Sequence, residues 1–148
     1  MLDRRDVLRA GLAFTAFAGV AHAAEETTQK PPAAQGPTEA QQVLAKAIGQ
    51  CVEAGNVCLE HCLNLLGRGD TSLAECAKSV RDMLAVCSAA QALVVSNSRH
   101  VKPTVQLCVD VCTDCERACR KHETHHAVCK ACADACAATV KAARVFLA

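Results

Sequence analysis

The sequence predicts an all-α protein, an antiparallel up-down-up-down four-helix bundle with a cysteine-lined core. Three observations carry this. From Thr38 onward proline occurs only at Pro103, and helix formers dominate. The breaks between helical stretches are short, which makes consecutive helices antiparallel neighbours. Twelve of the 148 residues are cysteine, and on helices they fall on one stripe each.

The elements follow in order. Thr38-Glu-Ala-Gln41 after Pro37 is a capping-box pattern, so a first helix is expected over roughly 38–66. Gly67-Arg-Gly69-Asp70 is a turn. Ser72-Leu-Ala-Glu75 is a second capping-box pattern, opening a helix that runs to about Ser96, where Ser96-Asn97-Ser98 breaks it. Pro103 suits the first turn of a third helix, where its missing N–H costs nothing, and that helix runs to about Lys121. Thr124 is placed to cap a fourth helix that continues almost to the end.

Successive helical residues turn by about 100°. Cys108, Cys112, Cys115 and Cys119 then lie at roughly 0°, 40°, 340° and 20°. Cys129, Cys132 and Cys136 fall within about 60°, and Cys51, Cys58 and Cys62 within about 40°. Cys76 and Cys87 are about 20° apart. Leu65, Val80, Met83 and Val140 continue these stripes, whereas Glu53, Glu60, Asp110, Glu116, Arg117 and Asp134 fall largely off them. The stripes are therefore the inner faces. Phe146 is the only aromatic ring outside the N-terminal segment, so cysteine must help to fill the core.

The N-terminus reads as an address. Asp3-Arg4-Arg5-Asp6-Val7-Leu8-Arg9 resembles a twin-arginine export motif, an apolar run from Ala10 to Val20 follows, and Ala21-His22-Ala23 offers small residues for cleavage. The run is about half the ~20 residues of a membrane span, so no span is expected in the mature chain. Residues 1–23 are thus expected to be a twin-arginine signal peptide, 24–37 a flexible leader and 38–148 the four-helix domain. The implied location is the periplasm or another extracytoplasmic space. The net charge of +1 falls to about zero without the signal, and the chain lacks both a basic patch and stacking rings. Nucleic acid is therefore not an expected partner.

The cysteines point to metal. Neighbours at i, i+4 on a helix have Cβ atoms about 5–6 Å apart, wider than the roughly 3.5–4.5 Å of a disulfide. Pairs such as Cys58/Cys62, Cys108/Cys112, Cys115/Cys119 and Cys132/Cys136 suit an ion held between two thiolates. An exported bundle stapled by cross-helix disulfides is the alternative. All-thiolate sites favour Cu(I), zinc or iron–sulfur clusters. Zinc wants four tetrahedral ligands, usually from loops, and iron–sulfur cysteines likewise gather in loops. Cu(I) accepts two or three ligands, which a helical CxxxC pair supplies. Twelve thiolates in an apolar core are untenable without counter-charge. One Cu(I) per thiolate balances them, so a capacity of about twelve ions per chain is expected. The expected metal ligands are Cys51, Cys58, Cys62, Cys76, Cys87, Cys108, Cys112, Cys115, Cys119, Cys129, Cys132 and Cys136, with His61 joining them.

Cys58-Leu-Glu-His-Cys62, the long gap to Cys76 and Cys87, and then Cys112-x2-Cys115-x3-Cys119 and Cys129-x2-Cys132-x3-Cys136 closely resemble the bacterial copper storage proteins. The resemblance covers about residues 45–140, and an exported branch of that family carries a twin-arginine signal. It implies a four-helix bundle whose inward cysteines hold many Cu(I) ions. It also implies homo-oligomers, often tetramers, with a copper-dependent enzyme or chaperone as recipient. Cys108 stands outside the family's pattern.

An up-down-up-down bundle brings the first and third connections to one end, where His61, His122, His125 and His126 gather. Copper is expected to enter there, with His61 as the leading nitrogen ligand and His122 continuing the third stripe. His125 and His126 read as solvated turn residues, and Met83 as a core filler rather than a ligand. No acid–base pair, activated nucleophile or polar pocket is discernible, so the role is expected to be non-catalytic. The competing roles are a metal-cluster electron carrier and a disulfide-stapled structural domain.

Overall fold

The computed structural model describes residues 36–148. The predicted signal peptide at 1–23 and all but the last two residues of the predicted leader lie outside the described residues. Four helices follow one another: α1 (Glu39–Gly67), α2 (Ala74–Val95), α3 (Val101–Arg120) and α4 (Ala127–Leu147). Each packs on its two neighbours in a ring, α1 on α2 and α4, and α3 on α2 and α4. The contacts fix the directions. Cys51 meets Cys136, Cys58 meets Cys129 and His61 meets His126, so every step up α1 is matched by an equal step down α4. Cys76–Cys119 and Cys87–Cys108 keep one register between antiparallel α2 and α3 in the same way.

The helix ends show why the chain turns where it does. Thr38 caps α1 with the expected capping box: its backbone N–H donates to Gln41 Oε1 at 2.7 Å, and its hydroxyl accepts from the Gln41 N–H at 3.2 Å. α1 and α2 end in the same way. Gly69 (φ 87°) and Asn97 (φ 50°) adopt the left-handed conformation just beyond the helix. Their N–H groups return to Leu66 and Val94, and the next N–H groups to Leu65 and Leu93. This paired closure satisfies carbonyls that a helix end otherwise leaves open, and it favours Gly or Asn at that position. Asn97 also accepts 2.8 Å from the side chain of buried Gln41, tying the start of α1 to the end of α2.

Two expected caps are not made. Ser72 does not open α2 with a capping box. The helix begins after Leu73, and the Ser72 N–H is instead taken by Asp70 Oδ1 at 2.9 Å. Burial of Leu73, which is fully enclosed, outweighs the local polar pattern and sets the start. Nor does Thr124 cap α4. It is exposed in the turn, and His126 occupies the cap position without a side-chain cap bond. Pro103 does sit in the first turn of α3, which begins two residues earlier at Val101. Among the described residues no helix is long and apolar enough to cross a membrane.

Candidate metal centre

All twelve cysteines are free thiols with no solvent exposure. They occupy the half of the bundle nearer the α1–α2 and α3–α4 turns. The other half is hydrocarbon: Leu44, Ile48, Ala90, Val94, Val101, Val105 and Ala143. The stripes derived by rotation therefore point inward, and Val80, Met83 and Val140 are buried along them, while Leu65 is only partly buried.

The shortest sulfur contacts run across helices rather than along them. Cys87 lies 3.2 Å from Cys108 and 3.4 Å from Cys112, and Cys76 lies 3.3 Å from Cys119. Cys51 is 3.6 Å from Cys136, and Cys58 is 3.9 Å from Cys129. The i, i+4 pairs Cys108/Cys112 and Cys115/Cys119, at 3.9 and 4.0 Å, match only the widest interhelical contacts, Cys58–Cys129 and Cys115–Cys132 at 3.9 Å. Helical CxxxC pairs are thus the rails of the arrangement and interhelical contacts its rungs. Every one of these separations is far longer than the about 2.05 Å of a disulfide bond.

Four groups bring three thiols within 4.8 Å of one another: Cys51/Cys87/Cys112, Cys58/Cys76/Cys129, Cys58/Cys119/Cys132 and Cys115/Cys132/Cys136. Cys58 and Cys132 each belong to two groups, so three of the four are linked through shared sulfurs. A sulfur shared between neighbouring triads is placed to bridge two soft monovalent ions.

Proton affinities reflect this crowding. Burial pushes the Cys62 thiol up to about 12 and Cys129 up to about 11, because an anion there would be stripped of water. Farther in, hydrogen bonding to neighbouring thiols raises Cys87, Cys119 and Cys136. The thiols that receive such bonds are shifted the other way, Cys76 by Cys119 and Cys108 by Cys112. The metal-free core is therefore a network of shared protons, and a cation entering it must displace them.

At the turn end, half-buried His61 has its Nε2 2.9 Å from Nδ1 of His126. The His122 ring packs edge-on against His126, their centroids 6.4 Å apart. His125 is exposed, as expected of a turn residue. His126 departs from expectation, since it is half-buried and paired with His61 rather than solvated. Rotation about a helix axis missed it because it stands just outside α4. The register that pairs Cys51 with Cys136 would have found it.

Comparison with known proteins fits this geometry. The family model described as Csp, copper storage protein, matches residues 37–148. The solved structure described as Cu(I)-bound copper storage protein BsCsp3 is similar at 28% identity and a TM-score of 0.66, over 74% of this chain and 100% of that one. Among curated proteins no match was found. A four-helix bundle with half its core made of thiols, matched by the family model over its whole length, belongs to the copper storage protein family.

Proposed function

We propose that this protein stores copper as Cu(I), with about one ion per cysteine, and does no catalysis. The observation that carries this reading is the linked set of three-thiol groups in a fully enclosed core. Thiolates are soft donors that select Cu(I), and three of them complete its coordination without the fourth ligand that zinc requires. Bridging sulfurs permit one ion per thiolate and hence a neutral core of about twelve ions. The twelve cysteines are the ligands in this reading. His61 joins them at the turn end, where copper enters past the histidines.

The N-terminal motif supports export by the twin-arginine route to the periplasm. The family resemblance supports a homo-oligomer, often a tetramer in that family, and delivery to a copper-dependent enzyme or chaperone.

Anaerobic titration with Cu(I), followed by metal analysis and competition against a strong Cu(I) chelator, tests the reading. Uptake of about twelve ions per chain, all retained against moderate competitor, is the expected result. Saturation at one reversible redox-active ion would favour an electron carrier. Isolation with every thiol oxidised would favour the disulfide-stapled bundle.

A further inference from the structure

We infer that Met83 is a copper ligand, its thioether completing a mixed thioether–thiolate Cu(I) site with Cys51 and Cys136 in the inner part of the sulfur half. The inference rests on the storage reading and extends the ligand set beyond cysteine and histidine.

Spacing is the first support. α1 carries its sulfurs as Cys51-x6-Cys58-x3-Cys62. α2 carries Cys76-x6-Met83-x3-Cys87, the same pattern with methionine in the middle place. Met83 thus stands where the corresponding stripe of α1 has a ligand, one turn from Cys87 on the same face.

Position is the second. Met83 is fully buried, and its Sδ accepts the Cys51 thiol at 3.5 Å. Cys51 is in turn 3.6 Å from Cys136. Neighbouring sulfurs of a trigonal site with metal–sulfur bonds of about 2.3 Å lie about 4 Å apart, so the Met83–Cys51 and Cys51–Cys136 contacts need open by only about half an ångström to take an ion.

The third is how the side chain is held. A Cβ on Gly55 would come within 2.5 Å of Met83 Cε and 2.9 Å of Leu84 Cδ2. The absent side chain at Gly55 makes room for the Met83 methyl against α1, while the sulfur lies against Cys51. A hydrocarbon filler would need that space too, but would set no sulfur lone pair beside Cys51 from α2.

The chemistry balances simply. Cu(I) replaces the proton of the Cys51 thiol, which is released, while the neutral thioether adds a lone pair and no charge. Met83 therefore raises the coordination of one ion without changing the total capacity, and it favours Cu(I) over zinc at that position.

The chain has two methionines, Met1 and Met83, so selenomethionine labelling makes a nearly site-specific probe. X-ray absorption at the selenium edge is recorded on full-length labelled protein, metal-free and loaded with Cu(I), with labelled Met83→Leu as control. Expected is a copper neighbour at bonding distance to selenium on loading, lost in Met83→Leu. That volume-conserving variant should still take up about twelve ions but yield one of them to chelator about tenfold more readily. A selenium environment unchanged by full loading overturns the inference and leaves the storage reading intact, as does a copper neighbour that persists in Met83→Leu. Failure to take up copper at all overturns both.

Discussion

The two halves of the bundle run on the same four helices and are filled by different chemistry. Toward the start of α1, the end of α4 and the α2–α3 connection the core is hydrocarbon, with Leu44, Ile48, Val94 and Val105 completely or almost completely enclosed. Toward the other two turns it is sulfur, just as completely enclosed. Burial is equal, but its consequences are not. Apolar side chains stabilise the fold in any state of the protein. Thiols at that density do so only while each keeps a proton or gains a cation. The hydrocarbon half is therefore the scaffold that holds the metal-free fold, and the sulfur half is the part whose stability follows its occupant.

The largest test of this division is loading itself. Filling the sulfur half with Cu(I) should stabilise the chain by on the order of 10 kcal/mol, by analogy with structural metal in small domains. Thermal unfolding of metal-free and loaded protein measures it, and near-coincident transitions would break the comparison. Next comes a cavity in the scaffold. Ile48→Ala should cost the metal-free protein about 2–5 kcal/mol in chemical denaturation. Its copper capacity should stay at that of the unaltered chain, and a proportional loss of copper would show that the halves are not separable.

A smaller effect is expected from pH. Cys62 and Cys129 hold their protons up to about 12 and about 11 in the folded state, against an ordinary value of 9.0. Above pH 9 the unfolded chain has lost protons that the native state still binds. The stability of the metal-free protein should thus be full below pH 9 and fall as pH rises through 11 to 12. The loaded protein has no proton on these sulfurs and should show a flatter profile there. Denaturant midpoints measured from pH 8 upward under reducing conditions would show either behaviour.

Much of this was legible in the residues, for a physical reason. Cysteine is small, apolar enough to be buried and repeated at helical spacing, so rotation about each axis reveals the inward face with no knowledge of the neighbours. The Thr38 cap and the Gly69 and Asn97 turns were legible because each is a local hydrogen-bonding pattern. The caps assigned to Ser72 and Thr124 were misread because a tertiary demand, the burial of Leu73 in the first case, competes with a signal worth only about 1 kcal/mol. The contact of Met83 with Cys51 was not legible, because its partner lies on another helix.

The sequence by itself thus determined the helices, the stripes and the membership of the copper storage proteins, since all three depend on spacing along one chain. The tertiary structure decided which sulfurs meet. Rotation pairs Cys108 with Cys112 and Cys115 with Cys119, but the closest contacts run between helices, from Cys87 to Cys108 and from Cys76 to Cys119. It also joined His61 to His126 and laid the Cys51 thiol on the Met83 thioether. Those pairings depend on the register between antiparallel helices, which is set by how whole faces pack, as where Gly55 lets α2 come close, and no single stripe contains that information.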